Sequence, residues 1–300
     1  MARQPRTLHG MTAAITGGAR GIGRATAQAF VRHGMKVAIG DLDLQAARQT
    51  ASELGPGAAA FQLDVTDRDS FAAFLDGAEQ HLGLLDVLVN NAGIMQIGRF
   101  LEEDDATARR QIDINLHGVI YGCKLALERM VPRDNGTVVN IASQAGKFGA
   151  PGGATYSATK HAVVGLTEAI RGELVIEGSH VEMAYVMPSV VNTELGAGTA
   201  QTRGVEKIEP QDVADAIVEC LQYGIVDVWV PKKVKTINRL ITLMPRRGSE
   251  AVGRLIKADK VLYEFDPAAR HDYELRASRS EPALDPGDAQ QQIEQRSSAT

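Results

Sequence analysis

The chain has 300 residues, 44% of them hydrophobic and 23% charged, the balance of a globular protein that buries about three-quarters of its unfolded surface, which excludes disordered and collagen-like chains. Two cysteines without C-x-x-C spacing and seven histidines without a ligand pattern give no disulfide framework and no metal site, and fit a reducing, cytoplasmic compartment. The net charge of −5 argues against nucleic-acid binding but is unevenly spread, because residues 231–260 carry nine Lys and Arg against Glu250 and Asp259, a net +7, leaving −12 elsewhere.

Residues 1–10 are cationic, but the apolar run after them is short and ends in a glycine-rich turn, unlike a secretory leader. No stretch of 18 apolar residues predicts a membrane span. Short apolar or β-branched runs predict strands at 13–16, 36–40, 59–63, 87–89, 137–141, 181–186 and 226–230. Between them, apolar residues recur at helical spacing over 25–33, 70–81, 105–130, 156–177 and 210–222. The acids at 102–105 precede a long helix, where they complement its positive end. This alternation predicts a single α/β domain over residues 1–265, a doubly wound parallel sheet covered on both faces, with an extra C-terminal helical segment at 231–265. Residues 266–300 are expected to form a tail, disordered from about 281, where the composition turns to Gln, Ser, Ala, Pro and Asp.

The first chemical signal is Thr-Gly-Gly-Ala-Arg-Gly-Ile-Gly at 16–23, between the first strand and the first helix. Gly17 allows the turn, Gly21 lets backbone approach a pyrophosphate, and Gly23 permits close helix packing; the helix start around Ile22 offers free N–H groups to phosphates. Asp41, after the second strand, stands where a carboxylate meets the adenosine ribose hydroxyls, favouring NAD over NADP. Arg20 pulls the other way, since a guanidinium there could meet a 2′-phosphate. Tyr156 and Lys160, at i and i+4, share a helix face, where an ammonium favours the ionised phenol.

The glycine loop, Asn-Asn-Ala-Gly at 90–93, Ser143 after the fifth strand, Tyr-Ser-Ala-Thr-Lys at 156–160, and Asn115 within Ile-Asp-Ile-Asn-Leu-His-Gly occur in one order over about residues 8–230. Together they resemble the short-chain dehydrogenase/reductase family. The resemblance implies a Rossmann fold, a nicotinamide dinucleotide, alcohol–carbonyl interconversion by hydride transfer with oxidation the favoured direction, and a homodimer or homotetramer. It implies a catalytic set of Asn115, Ser143, Tyr156 and Lys160: Tyr156 as general acid/base, Ser143 on the substrate oxygen, Lys160 also on the nicotinamide ribose, and Asn115 positioning a proton-relay water. Cofactor contacts carry over to Asp64 and Val65 at the adenine, to Asn91, Ala92 and Gly93 beside the ribose, and to Thr193 at the carboxamide. Where the family has Pro-Gly after the sixth strand, this chain has Pro188-Ser189, which predicts a different backbone at the nicotinamide end.

Ser143, Gln144, Phe148 and Ser189, with Met187 and Val190, are expected around the substrate, and they carry little charge. An apolar alcohol or ketone is therefore expected, and similarity to lipid-handling members with comparable extensions implies a steroid-, retinoid- or long-chain-like molecule. Residues 194–209, short and glycine-containing, predict a mobile lid. In the extension, Val234, Ile237, Leu240, Ile241, Leu243 and Met244 recur at helical spacing among cations, and a second amphipathic piece follows at 252–262. Such a segment packs on the enzyme beside the substrate mouth or on another subunit, or lies peripherally on a membrane; packing is favoured and membrane contact stays open. Two rivals stand beside this reading: an NADP-dependent carbonyl reductase relying on Arg20, and a non-catalytic dinucleotide-sensing protein, against which the intact Ser143, Tyr156 and Lys160 count.

Overall fold

Apolar runs of four to seven residues become strands here because both of their faces are covered; every residue of β1 (Thr12–Thr16) and β5 (Thr137–Ile141) is buried. The protein is described by a computed structural model over residues 4–200, 207–255 and 257–278. With β2 (Lys36–Asp41), β3 (Ala58–Gln62), β4 (Leu85–Asn90), β6 (Glu182–Pro188) and β7 (Asp227–Val230), these strands form one parallel sheet in the order β3-β2-β1-β4-β5-β6-β7. One face is covered by α1 (Gly21–Arg32), α2 (Leu44–Leu54) and α7 (Pro210–Tyr223), the other by α3 (Arg68–Leu82), α5 (Gly118–Met130) and α6 (Ala154–Ile176). All seven expected strands are present, with ends that agree to within two residues.

Polar residues fix where the helices start. Asp43 accepts the Ala46 N–H at 3.0 Å to cap α2, and Asp104 accepts the Thr107 N–H at 2.7 Å to cap α4 (Asp105–Ile112). Helix α7 begins with Pro210 in its first turn and a reciprocal Glu209–Asp212 cap, and ends on left-handed Gly224. The α2 helix has no counterpart among the sequence expectations because its buried face is only Ala47, Thr50 and Ala51.

The helix expected over 105–130 is not continuous. A π turn, Asp113–His117, separates α4 from α5. Within it the Asn115 amide accepts the Ile94 N–H and donates to the Ile94 carbonyl, both at 2.8 Å, so the helix widens to hold the strand-end loop.

The ordered domain runs past the expected boundary at Phe265. After α8 (Lys233–Thr242) and α9 (Arg246–Leu255), α10 (Pro267–Ser278) folds back over the carboxyl ends of the strands. Its Arg270 is 0% exposed. The guanidinium donates to the carbonyls of Met95, Leu195 and Ala197 at 2.7–2.9 Å and pairs with Glu274 at 3.1 Å. The Met95 N–H donates to Tyr273 Oη at 2.6 Å. Residues 194–200, expected to belong to a mobile lid, are held by these bonds and by Ala200 N–H to Val261 O and Asp266 N–H to Gly198 O. The part of that segment at 201–206, and the disorder expected from 281, lie outside the described residues.

Replacing Arg270 by Met leaves three carbonyls and the Glu274 carboxylate without this donor. The expected loss is about 3 kcal/mol of folding stability, read as a lower urea midpoint with the slope unchanged.

Candidate active site

The strand order reverses between β1 and β4, so their crossovers leave on opposite sides and a crevice opens over the carboxyl ends. A cleft of about 1800 Å³ occupies it. The turn after β1 forms its floor. Thr16 Oγ1 accepts the N–H groups of Asn91 and Ala92 at 3.0 and 2.9 Å, while Asn91 Nδ2 donates to the carbonyls of Thr16 and Gly17, both at 2.9 Å. Gly17 and Gly21 have φ of 62° and 54°, which favours glycine. A Cβ on Gly17 would stand 2.9 Å from Ala92 Cα, and one on Gly23 would stand 2.3 Å from the Gly17 carbonyl oxygen. This bare, left-handed backbone beside a helix start fits a dinucleotide pyrophosphate.

Asp41 is largely buried and accepts the N–H groups of Ala19 and Asp43 at 3.1 and 3.0 Å. Burial raises its carboxyl above the ordinary value against the pull of those bonds. The Arg20 guanidinium pairs with Asp43 at 2.7 Å. Asp64 Oδ1 accepts Thr66 N–H at 2.9 Å and stands beside Val65 on the cleft wall.

At the other end, α6 places Tyr156 and Lys160 one turn apart, both buried. Lys160 Nζ donates to the Ile141 carbonyl at 2.9 Å and lies 5.7 Å from the centre of the Tyr156 ring. Burial pushes the Tyr156 phenol up to about 12, opposed by a hydrogen bond with Ser143, and pushes Lys160 down to about 8. Desolvation therefore outweighs the expected lowering of Tyr156 by the ammonium. Ser143 Oγ accepts the Ala145 N–H at 3.1 Å at the end of β5.

Among the expected site residues, Gly17, Arg20, Gly21, Ile22, Asp41, Asp64, Val65, Asn91, Ala92, Gly93, Ser143, Gln144, Phe148, Tyr156, Lys160, Ser189 and Thr193 line this cleft. Gly23 and Asn115 stand behind its wall, in the helix contact and the π turn. Met187, expected near the substrate, is fully buried in the sheet core. Gln144 is anchored through Nε2 to the Val230 carbonyl at 3.3 Å. Ser189 adopts no left-handed backbone, and its N–H continues the sheet ladder to Val230 O at 2.8 Å. A side chain is accommodated there on ordinary, non-left-handed backbone. Its Oγ is buried without a hydrogen-bond partner among the described residues.

The sequence pattern missed the α10 part of the roof. Tyr156 packs in an apolar cluster with Met95, Ile97, Ala145, Val261 and Leu262, and Ile237, Ile241, Val252 and Tyr273 close the cleft above it. Arg270, Tyr273 and Ala277 recur at i, i+3 and i+7, a buried helix face disguised by an arginine.

Residues 11–204 match the family model of the short chain dehydrogenases. This chain belongs to the short-chain dehydrogenase/reductase family. Relatives include a sorbitol dehydrogenase of Cereibacter sphaeroides, 40% identical over 62% of this chain and 73% of its own. A 3beta-hydroxysteroid dehydrogenase 2 of Eggerthella lenta is 35% identical over 69% of this chain and 81% of its own. A Burkholderia phymatum short-chain dehydrogenase/reductase solved with NAD superposes with a TM-score of 0.73 at 26% identity, covering 79% of this chain and 94% of that one. A Brucella melitensis 3-ketoacyl-(acyl-carrier-protein) reductase solved with NADH gives 0.68 at 26% identity, over 74% and 97%. The short-chain dehydrogenase is thus an NAD(P)-dependent oxidoreductase with a nicotinamide dinucleotide as cofactor.

Gly23→Ala drives a methyl into the Gly17 carbonyl. It is expected to weaken dinucleotide affinity more than about tenfold, measured by calorimetric titration with a melting curve as the folding control.

Proposed function

We propose that this short-chain dehydrogenase oxidises an apolar secondary alcohol to its ketone with NAD, Tyr156 acting as the general base. The observation that carries the reading is the buried grouping of Ser143, Tyr156 and Lys160 at the end of the dinucleotide cleft, under an apolar roof. Bound NAD supplies the hydride acceptor and a positive charge in the same cleft. Ser143 Oγ holds the substrate oxygen, and Tyr156 Oη takes the hydroxyl proton. Lys160, fixed on the Ile141 carbonyl, favours the phenolate while it is charged. Asn115 has its amide fully engaged with Ile94 and Thr159, so it is a positioning residue that fixes the strand-end loop. Ser189 Oγ is a spare buried donor at the nicotinamide end.

The pairing of Arg20 with Asp43, together with the Asp41 carboxylate on the cleft wall, supports NAD over NADP. Ile94, Val190, Leu195 and Leu262 on the wall support a steroid-, retinoid- or long-chain-like substrate. Exposed Ile112, Val175 and Ile176 on α4 and α6 support a homo-oligomer formed through these helices. The free, buried Cys123 and Cys220 support a reducing, cytoplasmic compartment.

Oxidation needs the phenolate and burial holds the Tyr156 phenol up to about 12, so its kcat/KM is expected to keep rising with pH without a plateau below about pH 12, while ketone reduction, which needs the phenol, falls only as that range is reached. Tyr156→Phe is expected to lose roughly 10²- to 10⁴-fold in kcat and to flatten that profile while still binding NAD. Steady-state NADH formation over a panel of hydrophobic alcohols measures both, and an active Tyr156→Phe would overturn the mechanism.

Asp41→Ala is expected to raise the NAD KM at least about tenfold and to narrow the preference over NADP. Tighter NADP binding by the unmodified protein, in fluorescence titrations with both cofactors, would favour the reductase reading.

A further inference from the structure

The roof of the cleft has an outer side that the dehydrogenase core does not use. At 100° per residue, an apolar arc runs around α8 and its end from buried Val234 through Ile241, Ile237 and Leu240 to Leu243. Val234, Ile237 and Ile241 line the cleft, whereas Leu240 is 59% and Leu243 84% exposed, and Leu255 at the end of α9 is exposed as well. Lys233, Arg239, Arg247, Arg254 and Lys257 are exposed on the same two helices and the turn after them. Met244 and Arg254 both line the cleft and reach solvent, so the cleft mouth lies within this patch.

An apolar surface ringed by cations beside the mouth of an apolar cleft has the chemistry of a membrane interface. Its charge decides between occupants. A symmetric pair of chains joined through this face would set one +7 segment against another. An anionic lipid surface offers opposite charge to the cations and hydrocarbon to Leu240 and Leu243. Helices α8 and α9 have ten residues each, and no described helix is long and apolar enough to cross a bilayer. They are suited to lying in the interface.

We infer that the α8–α9 face docks on an anionic lipid membrane, with the mouth of the cleft opening onto the lipid. Docking stands independently of the reaction; entry of an apolar substrate from the lipid rests on the proposed function.

The test is sedimentation of the full chain with vesicles of phosphatidylcholine alone and of phosphatidylcholine with one-third phosphatidylglycerol. Binding is expected to be at least about tenfold stronger to the anionic vesicles and to fall as salt is raised. Arg239→Glu with Arg247→Glu is expected to weaken it at least about tenfold, and Leu240→Ser with Leu243→Ser to abolish most of it. Neither pair lines the cleft, so NAD affinity and the melting temperature stay at the unmodified values and certify the fold. Equal binding to both vesicle types, no binding to either, or patch variants that bind like the parent would overturn the inference. A chain that self-associates in light scattering through Leu243, and ignores vesicles, would show that a second copy covers the patch. Vesicle binding without oxidation of any alcohol would instead remove the proposed function and leave the docking surface standing.

Discussion

The reversal of strand order between β1 and β4 is the constraint from which the site follows. Helices that cross away from this point cannot cover it, and the parallel strands all deliver their carboxyl ends to the same edge. Gly17, Asp41, Asp64, Asn91, Ser143 and Ser189 come from six different strands yet line one cleft. The Thr16 and Asn91 side chains lock the two strands that flank the reversal through four hydrogen bonds, so the glycine turn is fixed by the sheet itself. Rigid strands set the chemistry, and the segments after them decide what may approach it.

Burial acts in opposite directions on the two groups that carry the proposed chemistry. It disfavours the phenolate of Tyr156 and the ammonium of Lys160 alike, pushing the phenol up to about 12 and the amine down to about 8, which leaves Lys160 charged and Tyr156 neutral at neutral pH. Lys160 keeps a partner in the Ile141 carbonyl, and Arg270 repeats the device with three carbonyls. Backbone oxygens solvate both cations without adding a carboxylate at the reacting end; the Glu274 partner of Arg270 sits on α10, one turn further along the helix.

How much of this could be read from the sequence depended on whether the signal was local. Each strand was visible as a short buried run, and the glycine turn, Ser143, Tyr156 and Lys160 were visible because the required residue types sit at fixed offsets from strand ends. The π turn was invisible, since the stretch at 105–130 keeps helical periodicity through it, and only the spatial neighbour Ile94 explains the widening. Alanines hid α2. The α10 part of the roof was missed for a stronger reason: Arg270 and Tyr273 meet residues far away in sequence, and an arginine in a polar helix carries no mark of burial.

Arg270 lies 175 residues beyond the Met95 carbonyl that it holds. The sheet and the glycine turn are therefore complete in the chain well before that guanidinium is reached. Among the described helices α10 is the last in the chain, so the nucleotide-shaped crevice precedes in sequence the helix that covers its reacting end.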